Sequence, residues 1–438
     1  MRKGLIAVGI IVLMVGLASS LQAGGIINKQ NLSADYIRTL NRNAATDMAD
    51  AAAFNPAGTA MMQDGLYLKA DVIYLWKDYS NKLPSSFPVQ VAPGVTLPFN
   101  SGGGTLDSEE HSIIPGFFAV YKQDRWSVFF DVTIPGGGGK VRYDDGDSRT
   151  MALSANYGAL LGTTTNPASA EQFIEADSYY VGYSLGAAYK VFDSLSLSGG
   201  VSYVDASQKF KGYARGPLGS VNVKIERTDE AWNYFLGLDY APIKDLNIGL
   251  TYMSNTPLNF KSDTKDTSPG QGISQSVGWV DGTHEREDLP GYLALGVSYF
   301  IIPGTLRIEP NLTYYLEKQA KLEGERFQNS SPGNSYDIGV TLEYILNPQW
   351  RFSIGYLHTE IKGMESQDLL TEAPELDANS VALGLVYSPI ERLDLTLGVE
   401  RSWYDSRTTN VTNSRGVAGT EYDKDVYGAA FGIQYRFF

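Results

Sequence analysis

The chain has 438 residues, with 35 Lys and Arg against 49 Asp and Glu, a net charge of −14, three His and no Cys. That acidity excludes a nucleic-acid partner, because phosphate binding needs clustered cations. The missing Cys and sparse His exclude disulfides, cysteine nucleophiles and His- or thiolate-rich metal sites, so neither metal nor cofactor is expected. The excesses are 46 Gly and 28 Tyr, and charged residues make up only 19%, below the roughly 25% of a typical soluble domain. Such a composition suits an outer-membrane barrel or a secreted β protein.

Arg2 and Lys3, the apolar run from Gly4 to Leu17, and Leu21-Gln22-Ala23 read as an export signal over 1–23, with cleavage after Ala23. The run is too short and wrongly flanked for a mature membrane helix. No later segment carries 18 consecutive apolar residues. A membrane-embedded mature chain must therefore be a closed barrel, because only helices and barrels satisfy every backbone group in lipid.

Residues 24–64 are not strand-like. Ser33 can cap a short helix carrying Tyr36, Ile37 and Leu40. Ala44, Ala45, Ala49, Ala51, Ala52 and Ala53, interspersed with Asp47 and Asp50, form a segment small enough to lie close to a barrel wall. It ends at Asn55-Pro56-Ala57-Gly58, where Pro56 blocks helix continuation.

From Gly65 onward apolar residues recur with period two, which predicts strands with one apolar face and one polar or small face. Leu306, Ile308, Leu312, Tyr314 and Leu316 share one face, and Arg307, Glu309, Asn311 and Thr313 the other. Fourteen segments follow this pattern, near 65–79, 108–121, 125–135, 177–190, 194–206, 227–241, 245–256, 286–300, 304–317, 334–345, 349–361, 376–388, 392–405 and 422–438. The count is even, as in bacterial single-chain barrels. Short connections rich in Pro, Asp and Asn alternate with long ones near 80–107, 136–176, 207–226, 257–285, 318–333, 362–375 and 406–421. That alternation predicts an up-and-down barrel with tight periplasmic turns and long extracellular loops. Strands entering the short turns end in Tyr121, Tyr189, Tyr240, Tyr299, Tyr344 and Tyr387. Rings at one level form an interfacial girdle. Fourteen strands enclose a lumen wide enough to be plugged or to conduct.

Several residues stand out within this frame. In the third strand Trp126, Val128, Phe130, Val132 and Ile134 share the lipid face, followed by Pro135-Gly136-Gly137-Gly138-Gly139. Pro removes a ladder donor and Gly neither packs nor holds register, so these five residues either kink the wall or begin the long loop. A phosphate loop is excluded, since Val141 follows Lys140 where Ser or Thr is required. Phe87 and Phe99 in one long loop and Leu160 in another are apolar, and either meet a ligand or pack on their own loops. Arg307 and Arg351 face the lumen by alternation. Arg38 and Arg42 lie in the hatch, and each of the four could bind a ligand carboxylate or form a charge pair holding plug to wall, since Glu309, Glu343 and Glu400 share the lumen-facing parity.

The stretch Asp50-Ala-Ala-Ala-Phe-Asn-Pro-Ala-Gly58, lying just before the first strand, resembles the motif of FadL-type outer-membrane transporters, which include TodX-type carriers of aromatic hydrocarbons. The resemblance spans the mature chain. It implies a 14-stranded antiparallel up-and-down β-barrel over 65–438, plugged by a small helical N-terminal hatch over 24–64 whose Asn55, Pro56 and Ala57 anchor it to the wall. It also implies passive uptake of long-chain fatty acids or similar hydrophobic molecules. Extracellular loops would capture the ligand, the hatch would rearrange, and the ligand would leave sideways through a kinked third strand. The expected setting is a Gram-negative outer membrane, as a monomer among lipid and lipopolysaccharide, with no enzymatic activity. The strand ending in Tyr435 and Phe437 runs one residue beyond the usual aromatic terminus, to Phe438. Rivals are a diffusion porin or adhesin, which would not need the hatch, and a barrel enzyme, for which His111, His284 and His358 offer no Ser-His arrangement.

Overall fold

The computed structural model describes residues 32–92, 95–323, 333–362, 376–409 and 416–438. The export signal and residues 24–31 lie outside them.

Among the described residues, fourteen strands close an antiparallel barrel in chain order. They are β1 (Gly65–Leu83), β2 (Gly104–Gln123), β3 (Trp126–Tyr143), β4 (Glu171–Phe192), β5 (Leu195–Gly216), β6 (Gly219–Ile243) and β7 (Leu246–Met253). The circuit continues through β8 (Tyr292–Ile302), β9 (Leu306–Tyr315), β10 (Tyr336–Asn347), β11 (Trp350–Glu360), β12 (Ala378–Ile390), β13 (Leu393–Tyr404) and β14 (Glu421–Arg436). β14 returns to β1 from Tyr67–Arg436 to Lys82–Glu421, which closes the circuit. The predicted face alternation is realised. Leu312 and Tyr314 point outward, while Glu309, Asn311 and Thr313 are buried inside. Tyr189, Tyr240, Tyr299 and Tyr344 stand exposed on the outer wall beside the short turns, and Tyr121 packs edge-on against Phe438.

Two expectations need correction. Residues 207–226 are wall rather than loop. β5 and β6 extend to Gly216 and Gly219 and pair along their whole length, joined only by Pro217 and Leu218. β-Branched Val221, Val223 and Ile225 on the buried face sustain the ladder past the point where apolar alternation becomes hard to see between charges. The second correction is in β3. It continues through Pro135 and the glycines to Tyr143, bulging between Thr133 and Gly136 and again between Gly137 and Gly139. Each bulge adds one residue and shifts the side-chain parity. Ile134, expected on the lipid face, is instead buried at 4% exposed, in a cluster with Ile73 and Ile114 against which Val181 packs. The second bulge restores the register, so Val141 and Tyr143 face inward like Phe129 and Asp131.

Residues 32–64 fill the short-turn end of the lumen. They form α1 (Ala34–Thr39), α2 (Ala51–Phe54) and a 3-10 helix over Pro56–Met61. Ser33 caps α1, its hydroxyl accepting from the Tyr36 amide at 3.0 Å. Pro56 ends α2 but opens the 3-10 helix, where its missing amide proton costs nothing. On the opposite side, α3 (Ser148–Asn156) carries a capping box from Asp147 and Thr150 and packs under the outer loops.

Candidate functional site

The hatch is held by ions. Arg38 on α1 is fully buried and pairs with Asp35 at 2.6 Å and with Glu343 of β10 at 2.6 Å. Arg307 of β9 reaches Glu343 at 2.8 Å, Glu309 at 3.5 Å and Asp47 of the hatch at 3.7 Å. Arg351 of β11 meets Asp47 at 2.9 Å. Arg42 clasps Asp47 and Asp50 within the hatch, each at 2.8 Å. Lys69 of β1 meets Asp35 at 3.0 Å. Arg307 and Arg351, read from the sequence as candidates for a ligand carboxylate, are thus engaged in holding plug to wall. Burial opposes the charge on Asp47, but Arg42, Arg351, Arg307 and Arg38 hold its carboxyl well below the ordinary 3.8. A carboxyl depressed in the folded state contributes stability above its unfolded pKa and loses it as pH falls through the folded value. The clamp is therefore expected to stay closed from neutral pH down to about 4 and to loosen only below that. Bilayer conductance recorded against pH checks this, and opening near pH 5 would contradict it.

The hatch motif is fastened by amides and by missing side chains. Asn55 Nδ2 donates to Asp239 of β6 at 2.6 Å and to the Ala45 carbonyl at 3.1 Å. Ser196 of β5 donates to the Ala57 carbonyl at 2.7 Å, and Pro56 lies over Gly237. Glycines on the lumen face of the wall are the contact points. A Cβ at Gly355 would lie 2.1 Å from the Thr39 carbonyl, and one at Gly384 would lie 2.1 Å from Arg38 Cβ. Sequence reading noticed the small residues of the hatch but missed these. The available signal was glycine recurring at lumen-facing strand positions. Asn55→Ala leaves Asp239 without its hatch donor and is expected to destabilise the hatch by roughly 1–3 kcal/mol. Limited proteolysis of the hatch is the readout.

Above the hatch lies a cavity. Its floor is Leu32, Ala52, Ala53 and Pro56, and its walls run from Asp131, Thr133 and Pro135 on β3 round to Tyr292 on β8. It borders an interruption in the wall. The β2–β3 ladder runs from Gln123–Trp126 to Phe117–Val132 and stops. Beyond it, among the described residues, the ladder of β2 runs with β1, as far as Gly104, and that of β3 with β4. The two strands meet again where the Arg142 amide donates to Ser108 Oγ at 3.1 Å. Continuing the ladder would set Pro115 opposite Ile134, beside Pro135, so donors are missing on both edges. Pro115 was overlooked in the sequence, although a proline inside a strand pattern signals an edge. Pro135 packs over Gly182 of β4, where a Cβ would lie 3.1 Å from its ring. Gly137 has φ +69 and Gly139 φ +113, so both lie in the left-handed region that favours glycine. Gly136 pairs with Tyr180, and Gly138 falls in the second bulge. The carbonyl of Leu32, the first described hatch residue, approaches Gly116 at the near corner of the interruption.

The loop candidates divide. Phe87 and Phe99 face each other across a two-stranded ribbon with ring centroids 6.4 Å apart. At 2% and 4% exposed, they belong to a core with Met151, Ala152 and Val417. They pack loop on loop. Leu160 is 40% exposed, beside the tip of the β5–β6 hairpin.

Residues 14–309 match a family model described as outer membrane protein transport protein (OMPP1/FadL/TodX). No curated protein matches the chain. Among solved structures, a Pseudomonas aeruginosa FadL homologue is 15% identical, with 96% of this chain and 100% of that one covered and a TM-score of 0.69. The Pseudomonas putida toluene transporter TodX is 12% identical, with 95% and 99% covered and a TM-score of 0.62. The Ralstonia pickettii toluene transporter TbuX is 14% identical, with 89% and 94% covered and a TM-score of 0.57. At these identities the likeness is one of fold.

Proposed function

Because this chain belongs to the OMPP1/FadL/TodX family of outer membrane transport proteins, and so is a passive carrier of hydrophobic compounds in a Gram-negative outer membrane rather than an enzyme, we propose that it releases its cargo sideways into the bilayer between β2 and β3. The observation that carries this reading is the cavity bordering the interrupted ladder at Pro135. An apolar molecule gains free energy by passing from the cavity directly into hydrocarbon and avoids the aqueous periplasm. The hatch blocks the straight route, because its ion pairs and the wall glycines leave it in contact with β1, β9, β10 and β11. On this reading residues 1–23 are a removed export signal, 24–64 the hatch and 65–438 the barrel. Asn55, Pro56 and Ala57 are its anchor, Pro135 to Gly139 form the exit, and the chain works as a monomer among lipid and lipopolysaccharide. Cargo enters past the outer loops near Leu160, and the hatch segment at Leu32 shifts to clear the exit. Long-chain fatty acids and monoaromatic hydrocarbons both fall within the class, and two of the similar structures are toluene transporters.

The experiment is uptake in proteoliposomes of a long-chain fatty acid, toluene and a small sugar side by side. Uptake of an apolar compound with exclusion of the sugar supports the proposal. Sugar passage without apolar uptake would leave a porin.

A further inference from the structure

The cavity beside the interrupted ladder is not uniformly apolar. Ala52, Ala53, Val204, Phe235, Met253 and Leu289 supply an apolar surface. Against it stand two polar side chains that the fold leaves incomplete. Asp131 on β3 is 1% exposed, and its Oδ2 takes no hydrogen bond among the described residues. Thr133 reaches only Oδ1, at 3.5 Å. Asn233 on β6 is 8% exposed and donates through Nδ2 to Thr256 Oγ1 at 2.7 Å, while its Oδ1 takes no hydrogen bond. Both residues line the cavity, together with Ser184 and Ser202, whose hydroxyls share one hydrogen bond at 2.8 Å and so keep one proton, with Ser184 lying beside Asp131. A buried acceptor without a donor is costly, and a ligand that supplies the donor removes that cost. No Lys or Arg is among the described residues lining the cavity. The cations Arg38, Arg307 and Arg351 are committed to carboxylates of the hatch and wall. A carboxylate entering here would lose its hydration beside Asp131 with no counter-ion.

We infer that this cavity selects uncharged apolar molecules bearing a hydrogen-bond donor, such as a phenol or an alcohol, over isosteric ethers and over carboxylates. The inference rests on the transport reading for its physiological meaning but not for its test. Asp131 Oδ2 or Asn233 Oδ1 accepts the donor, and the ring or chain of the ligand lies on Phe235 and Met253.

The test uses the full-length protein in detergent for equilibrium binding and in proteoliposomes for uptake, with p-cresol, anisole, toluene and benzoate as probes. Wild type is expected to bind p-cresol roughly three- to tenfold more tightly than anisole, the span of one added hydrogen bond. Benzoate is expected to bind roughly tenfold or more weakly than p-cresol. Asp131→Leu combined with Asn233→Leu should bring the cresol-to-anisole ratio near one. Asp131→Asn, which puts an amide donor in the cavity, should move it toward anisole. The ratio is read within each variant, and heat-modifiable mobility on gels confirms that each barrel is folded. Equal binding of cresol and anisole by wild type, or an unchanged ratio in the double variant, overturns the inference. If the double variant fails to fold, the shift in Asp131→Asn decides. A binding preference without uptake of any probe upholds the selectivity and overturns the transport reading. Equal uptake of all neutral probes with no binding preference does the reverse.

Discussion

Glu343→Ala is expected to unplug the barrel. Its two oxygens are shared between Arg38 of the hatch at 2.6 Å and Arg307 of the wall at 2.8 Å, and all three groups are nearly or fully out of water. Removing one partner of a buried ion pair leaves an uncompensated charge and costs about 3–5 kcal/mol. Arg307 keeps Glu309 of its own strand as well as Asp47, whereas Arg38 keeps only hatch Asp35 among these carboxylates, so the strain falls on the hatch rather than on the ladder. The barrel should therefore stay folded while the hatch loosens. The expected result is a step-like current in planar bilayers and entry of small polar solutes that wild type excludes. Adding Arg38→Ala removes the stranded charge and should recover part of the closure, giving a non-additive cycle. Wild-type conductance in Glu343→Ala would mean that the backbone contacts at Gly355 and Gly384 hold the hatch unaided.

Gly137→Val is expected to abolish transport without opening the barrel. Gly137 has φ +69, and a Cβ there would lie 2.4 Å from the Ser178 carbonyl. A β-branched residue cannot adopt that conformation without strain of about 1–3 kcal/mol. β3 relieves the strain by giving up the bulge and lying closer to β2, which narrows the interruption. A penalty of that size lowers the open population, and with it apolar uptake, by roughly ten- to a hundredfold. Gly304 provides the control. Its φ is +68, it sits in a short turn, and a Cβ there would meet nothing. Gly304→Val carries comparable backbone strain far from the exit and should retain uptake. Rapid uptake by a folded Gly137→Val barrel would remove the exit from between β2 and β3.

Much of the molecule was legible because a barrel wall repeats one rule. Each strand faces lipid on one side and lumen on the other, so Leu312 and Tyr314 against Asn311 and Thr313 announce both the strand and its orientation. The interfacial tyrosines and the Pro- and Asp-rich short turns are local as well. The candidate site was less legible because it consists of departures from that rule. Ile134 reads as a lipid-facing residue, but at a bulge invisible to periodicity it is buried in a cluster with Ile73 and Ile114. Phe87 and Phe99 read as a capture surface until their ribbon pairs and buries them against α3. Arg307 and Arg351 read equally as ligand cations and as clamps, since alternation shows that a side chain faces the lumen but not what it meets there.

The sequence by itself determined the class of the protein: a charge-poor chain whose period-two faces require a closed fourteen-stranded wall with a small-residue plug before it. Those properties follow from composition and near-neighbour geometry, which hold whatever the distant parts of the chain do. Only the tertiary structure decided which carboxylate clamps Arg38, where the β2–β3 ladder ends, and that Asp131 and Asn233 turn unpartnered acceptors into one cavity. These are meetings of residues tens to hundreds of positions apart, such as Arg38 with Glu343. Register and bulges bring them together, and one added residue in a strand moves a side chain from lipid to lumen.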